Sequence, residues 1–286
     1  MENLKNFFLE FINARILASN GIPYYLGQSA ESNETSMVSL MAFASLGMEN
    51  EAIPQKILKR VINNLNSNGS IGVFPSASED GLWLTAHAIL VGELYQRKPD
   101  FEKSLEFLLN RKSVTFPNYP EVTQDNSLVG WPWVTGTFGW VEPTAWSLLA
   151  LKKAGKGNDE RWQSGKKFLL DRMVSSGGWN CGNKMVYGNE LLPFLDITSL
   201  CLMALDGIEL NLIQKSIDFV KSNSLDTTSL YATSLAKMAL DSLNYSTDDL
   251  GKYILEKLNG SEIGAANISH ISYAVMSLGK KRMFLS

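Results

Sequence analysis

Along this chain, stretches with one wet and one dry face alternate with stretches that have almost no wet face. The first kind covers about 2–18, 51–66, 101–113, 159–174, 209–223 and 247–259, with the apolar period of a surface helix. The second kind covers about 35–46, 82–95, 143–154, 196–206, 226–241 and 267–279. Leu148-Leu149-Ala150-Leu151 and Leu202-Met203-Ala204-Leu205 are typical of it. A helix that is apolar all round is surrounded by other helices, and its Ala, Ser and Gly residues let those neighbours approach. Each inner run opens on a small hydroxylated residue: Ser36, Thr85, Thr144, Thr198, Thr228 and Ser269. The chain therefore reads as six outer–inner helix pairs, a repeat that fixes the architecture before any motif is considered.

An open stack of such pairs needs polar capping repeats at its ends. Here the terminal repeats are as apolar as the middle ones, so the expected fold is all-α, an (α/α)6 toroid forming one domain over 1–286. The stops agree. Gly47, Gly155, Gly207 and Gly279 follow inner runs, where a left-handed cap is wanted. Pro143 sits where a first helical turn tolerates it, and Ser246-Thr247-Asp248-Asp249 opens the last outer run like a capping box. Inner-to-outer links are short, such as Gly47-Met48-Glu49-Asn50. Outer-to-inner links are long, about 19–34, 67–81, 114–142 and 175–195, and a ring puts them all on one face. That face is where a site is expected.

Composition narrows the classes. With 45% hydrophobic and 19% charged residues, the 286-residue chain must bury many helix faces. A net charge of -3 gives no basic surface for nucleic acid. The acid at Glu2 and the short apolar start do not read as a signal peptide, and no run reaches the ~20 residues that span a bilayer. Cys181 and Cys201 require no bridge, so a reducing cytoplasm is the expected compartment. Two cysteines and two histidines, scattered, supply no metal site, and no cofactor is expected.

An acid stands two residues before the hydroxyl in four repeats: Glu34, Glu142, Asp196 and Asp226. Asn267 takes that place in another repeat and Trp83 in the second, with Glu79 and Asp80 just upstream. In a ring these positions form a crown at the mouth. Such an acid caps a helix N-terminus, worth about 0.5–2 kcal/mol. Partly desolvated beside indoles, it is also a general acid. Asp196, Glu142 and Asp80 are the catalytic candidates. The loop before Glu142 carries Trp131, Trp133 and Trp140; with Trp83, Trp179, Tyr187 and Phe74, and with Tyr24 and Tyr25 on the same face, it reads as an aromatic substrate lining or as a loop folded on its own small core. Lys184 and Arg172 suit either solvent or an anionic head group, and His87 and His270, inside inner runs, read as hydrogen-bonded structure.

The stretch Phe168-Leu169-Leu170-Asp171-Arg172-Met173-Val174-Ser175-Ser176-Gly177-Gly178-Trp179 resembles the glutamine–tryptophan repeat of squalene and oxidosqualene cyclases, found in looser form in protein prenyltransferase β subunits. Met173 stands where that family has glutamine, and Leu65 to Ile71 resembles a more decayed copy. The resemblance implies a toroid with a central apolar cavity, an isoprenoid ligand and protonation-initiated cyclisation by a crown acid, with peripheral membrane contact. The cyclases' Asp-x-Asp-Asp motif is absent; Ser246-Thr247-Asp248-Asp249 lacks its first aspartate. Of the prenyltransferase zinc ligands, Asp196-Ile197-Thr198 lacks the thiolate and Asp226-Thr227-Thr228 the histidine. No zinc and no protein prenyltransferase activity are therefore expected. Two other classes stay open: a non-catalytic lipid- or partner-binding toroid, and a carbohydrate-active (α/α)6 enzyme using paired carboxylates ~5–10 Å apart.

Overall fold

A computed structural model describes residues 1–75, 80–119, 122–280 and 283–284, without the side chains of 261 and 262. Six inner helices, α2 (Asn33–Ser45), α4 (Leu82–Leu94), α6 (Val141–Lys153), α8 (Leu195–Ala204), α10 (Leu230–Ser242) and α12 (Ile268–Leu278), pack each on the next, and α12 returns to α2. Around them lie α1 (Glu2–Asn13), α3 (Ala52–Asn63), α5 (Glu102–Asn110), α7 (Glu160–Arg172), α9 (Leu210–Asn223) and α11 (Asp248–Leu258). This is the (α/α)6 toroid that the repeat predicts. A short hairpin, β1 (Met185–Val186) with β2 (Asn189–Glu190), interrupts the link before α8.

The two helix classes behave as their patterns require. On α6 and α8 nearly every residue is buried, whereas α3 buries only Pro54, Ile57, Leu58 and Val61. Closure is made by small residues. Thr35 Oγ1 lies 3.1 Å from Ser269 Oγ, and one turn deeper Ser39 Oγ lies 3.0 Å from Ser272 Oγ. The two helices therefore run parallel and in register. Gly279 then presses on Ser45, and Lys280 N donates to Ser45 O at 2.7 Å.

The repeated hydroxyl stands one turn inside the helix rather than at its opening. Helices α2, α6 and α8 start before it, with Ser32, Trp140 and Phe194 at the position just ahead of the first turn, where only Ser32 caps with its side chain. One turn in, the hydroxyl accepts a backbone N–H from the preceding long loop: Ile22 N to Ser36 Oγ at 3.1 Å, Trp131 N to Thr144 Oγ1 at 2.8 Å, Trp179 N to Thr198 Oγ1 at 3.0 Å. Each indole then reaches outward: Trp131 Nε1 donates to Leu108 O at the end of α5, and Trp179 Nε1 to Leu169 O on α7. A Cβ on Gly130 or Gly178 would stand 2.7 Å from the Thr144 or Thr198 hydroxyl, so each tryptophan must follow a glycine. Val129-Gly130-Trp131 is thus a second copy of Gly177-Gly178-Trp179. In the fifth repeat α10 starts at Leu230 with Ser229 as its cap, later than the expected 226, so Asp226 is an exposed loop acid outside the crown.

Removing a tie leaves a buried N–H without a partner, which costs about 1–3 kcal/mol. Thr198→Val should lose that much in urea unfolding. Thr85→Val, whose hydroxyl returns only to Gly81 O in its own helix, should lose less.

Candidate functional site

Three of the crown acids meet at the mouth. Glu34, Glu142 and Asp196 stand in the first turns of α2, α6 and α8, where the helix N-termini favour negative charge. Tyr24 Oη donates to Glu34 Oε2 at 2.7 Å, and the Trp83 indole lies near enough to favour the same carboxylate. Burial raises the Glu34 pKa in spite of these donors. Burial also raises Glu142, to about 7, with the negative charges of Asp196 and Glu34 adding to the effect. The one side-chain donor that opposes this shift is Trp146, one turn further along α6. Asp196 Oδ1 accepts its neighbour's amide, Ile197 N, at 2.9 Å. At neutral pH the mouth therefore holds a carboxyl balanced between its two forms among acidic neighbours.

Beneath the acids, aromatic rings bridge the axis. Trp146 on α6 and Tyr273 on α12, from opposite sides of the ring, have centroids 6.2 Å apart. Tyr231 on α10 meets Tyr273 edge-on at 4.9 Å and stacks on His270 at 5.4 Å. His87 lies edge-on to Trp146 at 4.4 Å, and Phe284 packs on the same indole at 6.2 Å. His87 finds no hydrogen-bond partner among the described residues, and burial lowers it to about 3, so it stays neutral. The site is a mouth with an aromatic floor.

The remaining sequence candidates separate. Trp133 meets Trp83 edge-on at 5.0 Å, because its loop crosses to the start of α4, where Leu82 N donates to Trp133 O at 3.1 Å. Trp140 caps α6 and walls a neighbouring cleft. Trp131 and Trp179, read as substrate-binding, are both 0% exposed; they join outer to inner helices and cannot touch a substrate. Asp80 accepts the Ser70 hydroxyl at 2.6 Å, an anchor of the second long loop. Phe74 lies half-exposed on that loop, and Tyr187, at the hairpin turn, is 99% exposed. Glu79 lies outside the described residues. Sequence reasoning passed over Trp146, Tyr231 and Tyr273; the four-residue step from Glu142 to Trp146 put both on one helix face and was the available signal.

Among the described residues no group of three or more His, Cys, Asp or Glu is placed to hold a metal ion, and no helix is long and apolar enough to cross a membrane. No protein-family model and no curated protein matches the chain. Solved structures do. An α-amylase from Clostridium perfringens is 11% identical over 96% of this chain and 97% of its own, with a TM-score of 0.64. The type II terpene cyclase MstE from Scytonema is 12% identical over 97% of each chain, at 0.62. An inactive α-1,6-mannanase of Salegentibacter, solved with α-1,6-mannotriose, is 13% identical over 97% of this chain and 96% of its own, at 0.64. Identities this low carry the fold alone.

Glu142 gives a stability test with a definite sign. A carboxyl raised from 4.5 to about 7 binds more protons folded than unfolded between those values. Its contribution is therefore full below about 4.5 and falls away as pH rises through about 7. Urea unfolding at pH 8 should find Glu142→Gln more stable than the parent by on the order of 1–3 kcal/mol, with the gap closing at pH 5.

Proposed function

We propose that this protein is an acid–base enzyme that cleaves or transfers a glycosidic bond at the mouth of the ring. Glu142 gives its proton to the departing oxygen as the C–O bond breaks; a water, or an acceptor hydroxyl in a transfer, bonds to the anomeric carbon and passes its own proton to Asp196, with Glu34 beside them. The observation that carries the reading is Glu142, held near neutrality among other carboxyls in front of an aromatic floor. A general acid works best with a pKa near the working pH, and a glycosidic oxygen is basic enough to take a proton from such a group. An alkene carbon is a far weaker base and needs a stronger acid. Trp83 and Trp133 offer faces for a sugar ring beside the acids. The Trp146–Tyr273 contact across the axis weighs against a long isoprenoid chain threading the ring. The cyclase-like repeat lends little to chemistry, since Trp179 is consumed in joining helices. The amylase and mannanase of the same fold act on glycans, in keeping with this reading.

One observation favours a second reading, a terpene cyclase-like protein that takes an isoprenoid. The loop face carries exposed apolar tips, among them Tyr25, Leu26, Leu192, Phe194 and Leu225. These would suit an apolar ligand or contact with a lipid surface, and a carrier without chemistry would share them.

Purified protein should be incubated with α-1,6-mannan, starch and other neutral and amino glycans while new reducing ends are counted. We expect release that declines as pH rises above about 7 and that falls about 100-fold or more in Glu142→Gln. Parallel incubations with squalene and prenyl diphosphates, and native mass spectrometry for a retained lipid, address the second reading. Turnover of squalene or a prenyl diphosphate with every glycan left intact would sink the glycosidic proposal.

A further inference from the structure

Beside the mouth lies a cleft that the proposed chemistry does not use. It holds about 340 Å3 between the third long loop and the segment after Trp179. Phe116, Tyr119, Phe138 and Trp140 line it, and Arg172 reaches it from the end of α7. Phe116 and Phe138 form a tilted pair at 5.0 Å, each about half exposed. Aromatic faces left open in a walled cleft gain free energy when an apolar body covers them.

Arg172 adds a polar end. It is 6% exposed, with its guanidinium 4.5 Å over the Phe168 ring. Its Nη1 donates to Asp125 O at 3.2 Å and pairs with Asp171. Its other N–H donors have no partner among the described residues, although a guanidinium is built to grip an anion with two. Lys184 Nζ stands 3.9 Å from the same Asp171; Asp125 also faces Arg172 and Glu190 faces Lys184, so what the site offers an anion is directed N–H donors rather than a surplus of positive charge. The Asp125 carboxylate is exposed and already accepts from Ser127 and Asn118. The walls are also braced. Gln124 Nε2 donates to Asn183 Oδ1 at 2.8 Å, and Lys184 N donates to Gln124 Oε1 at 3.2 Å, tying the loop to the facing segment.

We propose that this cleft is a second ligand site, for a small molecule with an aromatic or short apolar body and a single anionic head, a carboxylate or a phosphate. The body lies between Phe116, Phe138 and Trp140, and the head meets the free donors of Arg172 beside Lys184. The volume is at the small end of ligand pockets, which suits a small molecule. Trp140 walls the cleft, and Glu142 follows it by two residues on α6, so an occupant here borders the acid mouth.

The test uses the full chain and titration calorimetry. The probes are 3-phenylpropionate and phenyl phosphate, which separate the two head groups, with 3-phenylpropanol as the body without charge and inorganic phosphate as the head without body. Saturable one-to-one binding of at least one amphipathic anion is expected. It should weaken at least about tenfold when the charge or the body is removed. Phe138→Ala and Arg172→Lys should weaken it similarly, and Glu142→Gln should leave it unchanged. If Arg172→Lys does not fold, Phe138→Ala and Lys184→Gln carry the comparison. Equal binding of phenylpropanol, indifference to Phe138→Ala, loss in Glu142→Gln, or no saturable binding of either anion below about 10 mM would overturn the proposal. None of these outcomes depends on whether a glycan is cleaved.

Discussion

The structure hangs on a hydroxyl one turn inside the inner helix that accepts a backbone N–H from the loop before it. Seen in Ser36, Thr144 and Thr198, this bond pins a loop residue against the helix start. In two repeats that residue is a tryptophan whose indole N–H grips an outer-helix carbonyl. One residue thereby links loop, inner helix and outer helix. The partners are buried, so the bond is costly to lose, and the glycine before each tryptophan is forced by lack of room. Long loops held at their roots can vary beyond them, and loops on a rigid frame are where sites are commonly built.

The same frame explains the electrostatics of the mouth. Parallel inner helices bring their N-termini to one end, where carboxylates are favoured. The favour has a limit. Placed above a floor of Trp146, Tyr273 and Tyr231, Glu142 is cut off from water and, to a lesser degree, repelled by its acidic neighbours, so it keeps its proton into the neutral range. A sequence rule for capping and a raised pKa therefore arise from the same residues. The difference lies in how many acids share the end and how little water reaches them.

Much of the fold was legible in the sequence because helix class follows from the width of the apolar face, and ring closure from the apolar terminal repeats. The site was legible in part. Glu34, Glu142 and Asp196 come together because their offset from the hydroxyl is the same in each repeat. Asp226 shares that offset in text and fails, since α10 starts at Leu230 and the hydroxyl that caps it is Ser229. The tryptophans were the harder case. Composition cannot separate an indole that stacks on a ligand from one that bonds a helix end. Trp131 and Trp133 are two residues apart, one wholly buried and the other facing Trp83. The glycine before Trp131, matching the one before Trp179, held the distinction, and it emerges only when the two copies are laid side by side.

The parallel hydroxyl pairs between α2 and α12 have an evolutionary consequence. An open array can lengthen by duplicating a unit, because each end accepts another. Here the last unit already fills the place where a seventh would enter. Copying one helix pair would break the seam before it enlarged the molecule. Diversification in such a lineage is thus pushed into the connecting segments at the rim, or into duplication of the whole ring.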